Sequence, residues 1–233
     1  MLWYKIWLET RWRMMLPFDM ILFAVFTGHN KGQLQVGHAS PGHPSVLNFL
    51  PFFWMIAPLM LAGSGVNTEA PFRALKGLHG STFFTLGLPV SRFRLFATRV
   101  GFGMLGTAGL IAIACCLAGI LFPEIRAQTT LGDVLRYAVT VLLCSTAIFG
   151  LSTLFATFLD QQLQVMASMA SIFLLGWLFI HTNAPGSFNV FRALADGSPL
   201  VTHVIPWPAI FVCLGVGAVS LLAAWTVLQT REY

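Results

Sequence analysis

Six apolar runs, at residues 14–27, 46–66, 98–122, 134–159, 165–180 and 209–228, are joined by more polar links of uneven length. This alternation constrains the fold more than any single motif. A bilayer core about 30 Å thick takes about 20 apolar residues per helical crossing, and lipid offers no water to an open backbone. Each run is therefore predicted to be a transmembrane helix, and residues 1–233 to form one all-α integral membrane domain. Only 9% of the chain is charged, against about 25% in soluble domains, which leaves little room for a folded aqueous domain.

The runs differ in detail. The first is short and interrupted by Pro17 and Asp19, so it must draw in flanking residues or thin the bilayer. Ahead of it, residues 2–14 read as an amphipathic interfacial helix. Trp3, Ile6, Trp7 and Met14 gather on one side at helical spacing, and Lys5, Glu9 and Arg13 follow at i, i+4 on another. No small-x-small cleavage site follows Phe26, which argues against a cleaved signal peptide. The second run holds Pro51 and Pro58, tolerated where neighbouring helices satisfy the freed carbonyls. Gly103, Gly106 and Gly109 offer the third run small surfaces for close helix approach. "DQQLQ" at 160–164 reads as a tight turn between the fourth and fifth runs.

The net charge of +5 fits a polytopic protein that keeps its basic residues on the cytoplasmic side better than a nucleic-acid binder. With six crossings, Lys5, Arg11, Arg13, Arg73, Lys76, Arg92, Arg94, Arg99 and Arg231 fall on the side of the termini. Lys31, Arg126, Arg136 and Arg192 fall on the other. Both termini and residues 67–97 are thus predicted to be cytoplasmic, and residues 28–45 and 181–208 extracytoplasmic.

Few residues suggest bond-making chemistry. "AGSG" at 62–65 has Ala62 where a GxSG pattern needs glycine, and no base is apparent for a serine nucleophile. It reads as a glycine-rich helix end. His29, His38 and His43 share one loop, but their separations match no helical ligand pattern and no acidic or cysteine partner lies there. No metal site is expected. Asp19 lies near the cytoplasmic end of its run, where it can meet headgroups or pair with Arg11 or Arg13; Arg136 can snorkel. Cys115, Cys116, Cys144 and Cys213 all sit in apolar runs and read as small core residues.

The most informative stretch is "FFTLGLPVSRFRLFATR" at 83–99. Pro89 biases the residue before it out of the helical region. Ser91 is placed to cap a following helix that carries Arg92, Phe93, Arg94 and Arg99 straight into the third run. The preceding "STFFTLGL" is an apolar knob rimmed by charge, which suits a protein contact, a lipid anchor, or both.

These residues resemble ABC-2 type transporter permeases. "TLGLPVSRFRLFATR", after a loop containing Glu69, looks like that family's "tL..LPvSR..l...R" segment between the second and third of six spans. "DGSPLVTHV" at 196–204 looks like the segment that precedes the last span. The resemblance implies a coupling element within residues 70–88 that docks on a separate ATP-binding subunit. Glu69, Ser81, Phe83, Phe84, Leu86, Leu88, Pro89, Ser91 and Arg92 are the candidate docking residues. Pro71, Gly77 and Gly80 depart from a continuous helix there.

By the same resemblance, residues 184–204 form short outward-facing helices. The protein is expected in a bacterial inner membrane, paired with a second permease copy or a related permease. Membrane lipids are the other expected partner, and nucleic acid is not. The chain has no Gly-Lys dipeptide, so it lacks the phosphate-cradling loop that needs one. No cofactor is expected in this chain; ATP and Mg belong to the partner subunit, and this chain is expected not to be an enzyme. Sparse charge in the runs suits export of an amphipathic or lipid-like cargo. Two other classes remain open: a membrane scaffold without transport, and a membrane-embedded enzyme. Co-purification of an ATPase separates them from a permease.

Overall fold

The computed structural model describes residues 11, 14, 15, 18, 19, 55–62, 91–121, 129–159, 161–181, 187–194 and 199–230. Its elements are α1 (Arg92–Leu121), α2 (Leu131–Phe158), α3 (Gln161–His181), α4 (Val190–Leu194), α5 (Pro199–Thr202) and α6 (Trp207–Thr230). Residues 55–61 are also helical and turn at Ala62. Residues 11, 14, 15, 18 and 19 are helical as well. Among the described residues, Arg92–Leu117 of α1, all of α2 and all of α6 are long and apolar enough to cross a membrane. Leu163–Leu178 of α3 is a shorter apolar stretch. The regular structure of the described residues is thus all helical, with three helices among them that can span a bilayer. Most of the expected interfacial helix, the 28–45 loop and residues 63–90 lie outside the described residues.

Capping decides where the helices begin. Ser91 Oγ accepts from the Arg94 amide at 3.3 Å, and Ser91 O accepts from the Leu95 amide at 3.1 Å. The first turn of α1 is closed as the sequence predicts, and α1 continues unbroken for 30 residues. Thr130 caps α2 in a reciprocal box with Asp133. At its other end Leu159 turns extended, φ −111° and ψ 152°, and its amide still reaches Phe155 O. Helix resumes at Gln161. The expected 160–164 turn is therefore shorter than its sequence suggests, and Gln161–Gln164 form the first turn of α3.

α2 is the centre of the packing. Half of its span is buried, against 28% for those of α1 and α6, and α1, α3, α4, α5 and α6 all pack on it. α1 presents Arg99, Gly103, Thr107, Leu110, Ile111 and Ala114 inward, at spacings of three and four. α6 presents Ala209, Ile210, Cys213, Gly217, Ser220 and Ala224. Phe211, Val219 and Leu222 of α6 and Phe173, Leu174 and Trp177 of α3 face outward, an apolar exterior that suits lipid.

α2 and α6 meet backbone to backbone. A Cβ on Gly150 would lie 2.6 Å from Gly217 O, and one on Gly217 would lie 2.7 Å from Thr146 O. Of the three glycines expected to admit a close neighbour, Gly103 faces the Phe149 ring and Gly106 faces Met14 and Leu61. Gly109 has nothing within 4 Å of a Cβ position among the described residues.

Candidate functional site

Three polar constructions stand out against the apolar interior. The first is the start of α1. A helix of 30 residues is about 45 Å long at 1.5 Å per residue, well beyond a hydrocarbon core of about 30 Å. Its first turns can therefore stand clear of the core while remaining rigidly continuous with the span. Arg92 and Arg94 are exposed there, whereas Arg99 is buried. Arg92 Nη1 donates to Gln229 O near the end of α6 at 3.5 Å. A cation at a helix C-terminus complements the partial negative charge of its free carbonyls. Phe93 and Phe96 flank the Trp225 ring, with centroids at 5.4 and 5.7 Å. The start of α1 and the last turns of α6 thus form one aromatic clasp. Of the candidate docking residues, Ser91 caps this helix and Arg92 opens it. Glu69, Ser81, Phe83, Phe84, Leu86, Leu88 and Pro89 lie outside the described residues.

The second construction is buried between α2, α3 and the helix over residues 55–61. The last carbonyls of a helix have no partner within it, and lipid supplies none. Ser152 Oγ donates to Leu59 O at 3.3 Å, and Gln164 Nε2 donates to Ala62 O at 3.0 Å. Ser152 Oγ in turn accepts from Gln164 Nε2 and from Ser168 Oγ, each at 3.1 Å. Two neighbouring helices therefore bond the last described carbonyls of this helix from the side, in one buried knot. Sequence reasoning missed it. The available signal was Gln164, Ser168 and Ile172 at spacings of four, the inward line of α3.

The third construction lies at the start of α2. Asp133 is buried, and its Oδ2 accepts from the Thr130 hydroxyl at 2.7 Å and from the Thr130 amide at 3.3 Å. Its Oδ1 lies 3.4 Å from Arg136 Nη1, and His203 Nδ1 lies 3.1 Å from Oδ2. Arg136 also donates to His203 O at 3.1 Å. Arg136 thereby joins α2 to the corner between α5 and α6. A helix of 28 residues is about 42 Å long, so its first turn can sit at the bilayer interface rather than in hydrocarbon.

Asp19 and Arg11 are exposed, and His29, His38 and His43 lie outside the described residues. Among the described residues, no three His, Cys, Asp or Glu side chains come together in a way that could hold a metal ion. The hydroxyls inside the bundle mostly return to their own helices: Thr107 to Gly103 O, Thr140 to Arg136 O and Thr153 to Phe149 O. Such back-bonding satisfies them without a ligand. No protein-family model, curated protein or solved structure matches the chain.

Proposed function

We propose that this protein is the membrane-spanning permease subunit of an ABC-2 type exporter, with six spans and both termini in the cytoplasm of a bacterial cell. It is energised by a separate ATP-binding subunit, works with a second permease chain, and exports an amphipathic or lipid-like cargo. The observation that supports this reading best is the continuity of α1. The helix capped by Ser91 of the "LPVSR" stretch runs unbroken for 30 residues and is long and apolar enough to cross a membrane. A push on the cytoplasmic segment before it is delivered to a span as a rigid-body motion, which is what alternating access requires. The clasp with Trp225 passes the same motion to α6. The two short helices α4 and α5, just ahead of α6, suit the outer segment that the resemblance implies.

The test is a pull-down of the tagged chain in mild detergent, with the captured proteins identified and assayed. The expected result is an ATP-binding-cassette subunit, with ATPase activity in the complex and none above background in the purified chain. Specific hydrolysis by the chain alone, or capture that yields no ATPase subunit, overturns the permease reading.

A further inference from the structure

α6 carries a tryptophan near each end. Trp207 opens the helix, is 52% exposed and stacks on exposed Phe211 with ring centroids 5.9 Å apart. Trp225 lies about five turns further on, beside Phe93 and Phe96. From one ring to the other α6 rises about 27 Å by helix geometry, close to a hydrocarbon core of about 30 Å. Between them the helix has no charged side chain, and its one hydroxyl, that of Ser220, is buried. Charge begins just beyond each ring. Arg136 donates to His203 O ahead of Trp207, and Arg92 donates to Gln229 O after Trp225.

We propose that Trp207 and Trp225 are lipid-interface anchors that hold α6 at a fixed depth across one bilayer, Trp207 with Phe211 at the headgroup–acyl boundary of one leaflet and Trp225 at that of the other. Indole has an apolar body and an N–H donor, so it is most stable where hydrocarbon meets hydrated headgroups. Phospholipid is the occupant of the face between the rings. Val212, Val216, Val219 and Leu222 are exposed there, and a lipid-facing surface has to match the thickness of the core, whereas a surface covered by protein does not. The depth of α2 follows from its register. Arg136 with His203, and Thr146 with Cys213, are hydrogen-bonded pairs 67 residues apart, and Gly150 meets Gly217 at the same offset. α2 and α6 thus run parallel. Val216 is midway between the two tryptophans, so the Gly150–Gly217 crossing lies at the bilayer midplane, where hydrocarbon gives helices no drive to associate and close backbone packing supplies it. Asp133, Arg136 and His203 then lie at headgroup level, where charge is solvated rather than held in hydrocarbon. This depth assignment involves no partner subunit and is independent of the transport reading.

The experiment uses the full chain in phosphatidylcholine nanodiscs with Cys115, Cys116, Cys144 and Cys213 replaced by alanine. One spin label at a time is placed at Val204→Cys, Val212→Cys, Val216→Cys, Val219→Cys, Leu222→Cys or Thr230→Cys, all exposed positions. Collision with oxygen, which concentrates in hydrocarbon, is compared with collision with a water-soluble nickel chelate. The expected result is loss of nickel collision and the highest oxygen collision at Val216 and Val219, with nickel collision regained at Val204 and Thr230. An oxygen maximum more than one helical turn from Val216 overturns the depth assignment. Nickel collision as high at Val216 as at Val204 shows water on that face, and exclusion of both probes from Val216, Val219 and Leu222 shows protein covering it; either overturns the proposal. The rings are tested separately in phosphatidylcholine brominated near the headgroup end of the acyl chain or near its terminal methyl. The fluorescence lost in Trp207→Phe, and that lost in Trp225→Phe, should be quenched more by the shallow bromines. Stronger quenching of either component by the deep bromines overturns the anchor at that ring. The spin-label series leaves both rings in place, so it decides the depth even if a tryptophan variant folds poorly.

Discussion

Gly217 and Gly109 carry the same side chain and opposite consequences. A methyl at Gly217 would lie 2.7 Å from the Thr146 carbonyl oxygen, a backbone atom that can retreat only if α2 moves. Gly217→Ala is therefore expected to lower stability by about 1–3 kcal/mol, as overpacking of a close crossing does. Gly109→Ala meets nothing within 4 Å and should be neutral, or stabilising by up to about 1 kcal/mol through helix propensity. Thermal melting of both variants in one detergent checks the contrast; equal shifts would refute the crossing geometry. Legibility at this scale divides along sequence separation. The Ser91 cap could be read because its partners are the next residues of the chain. The partnership of Gly150 with Gly217, or of Gln164 with Ala62 O, is settled by which helices meet, and no local pattern announces that. The bridge from Arg136 to His203 was hidden for the same reason: the two are 67 residues apart.

Among the elements, α1, α2 and α6 were legible as long apolar runs, and α1 and α2 begin ahead of those runs, at the Ser91 and Thr130 caps. α1 starts at Arg92, ahead of its apolar run, as the Ser91 cap predicts. The turn after α2 was overestimated, since polar Gln161, Gln162 and Gln164 look like a loop by composition. Gln164 is instead turned inward by a helix end that needs a donor. The segment leading into α1 carries the prediction that belongs here. Under the transport proposal, Leu86→Asp places a charge in the apolar docking knob. Leaving a charge buried without a partner costs several kcal/mol, and about 1.4 kcal/mol is tenfold in affinity. Affinity for the ATPase subunit, measured on the detergent-solubilised complex, should fall at least about tenfold while the permease stays in the membrane. Arg92→Ala should be milder and mainly alter salt dependence. Loss of membrane insertion in both variants would point to a lipid anchor; full affinity in Leu86→Asp would remove this segment as the docking site.

For the whole molecule, the side of the membrane on which each end lies rests on the distribution of basic residues. Nine of the thirteen lysines and arginines group with the termini under six crossings, and positive charge is retained in the cytoplasm during insertion. Two of those nine, Arg92 and Arg94, are exposed at the start of α1. The orientation is tested by placing single cysteines at His38→Cys and His79→Cys and labelling intact cells with a membrane-impermeant thiol reagent. The native cysteines must first be removed. Cys144 and Cys213 are buried in the α2–α6 packing, so alanine or valine is preferable there to serine, whose hydroxyl would need a partner. Position 38 should label in intact cells, and position 79 only after the cells are opened. The reverse pattern would invert the protein, placing the arginine-bearing start of α1 outside, where no cytoplasmic ATPase could reach it. Labelling of both positions in intact cells would put an even number of crossings, or none, between residues 38 and 79. The run at 46–66 would then not be a single span, and the six-crossing count that sorts the basic residues would fail with it.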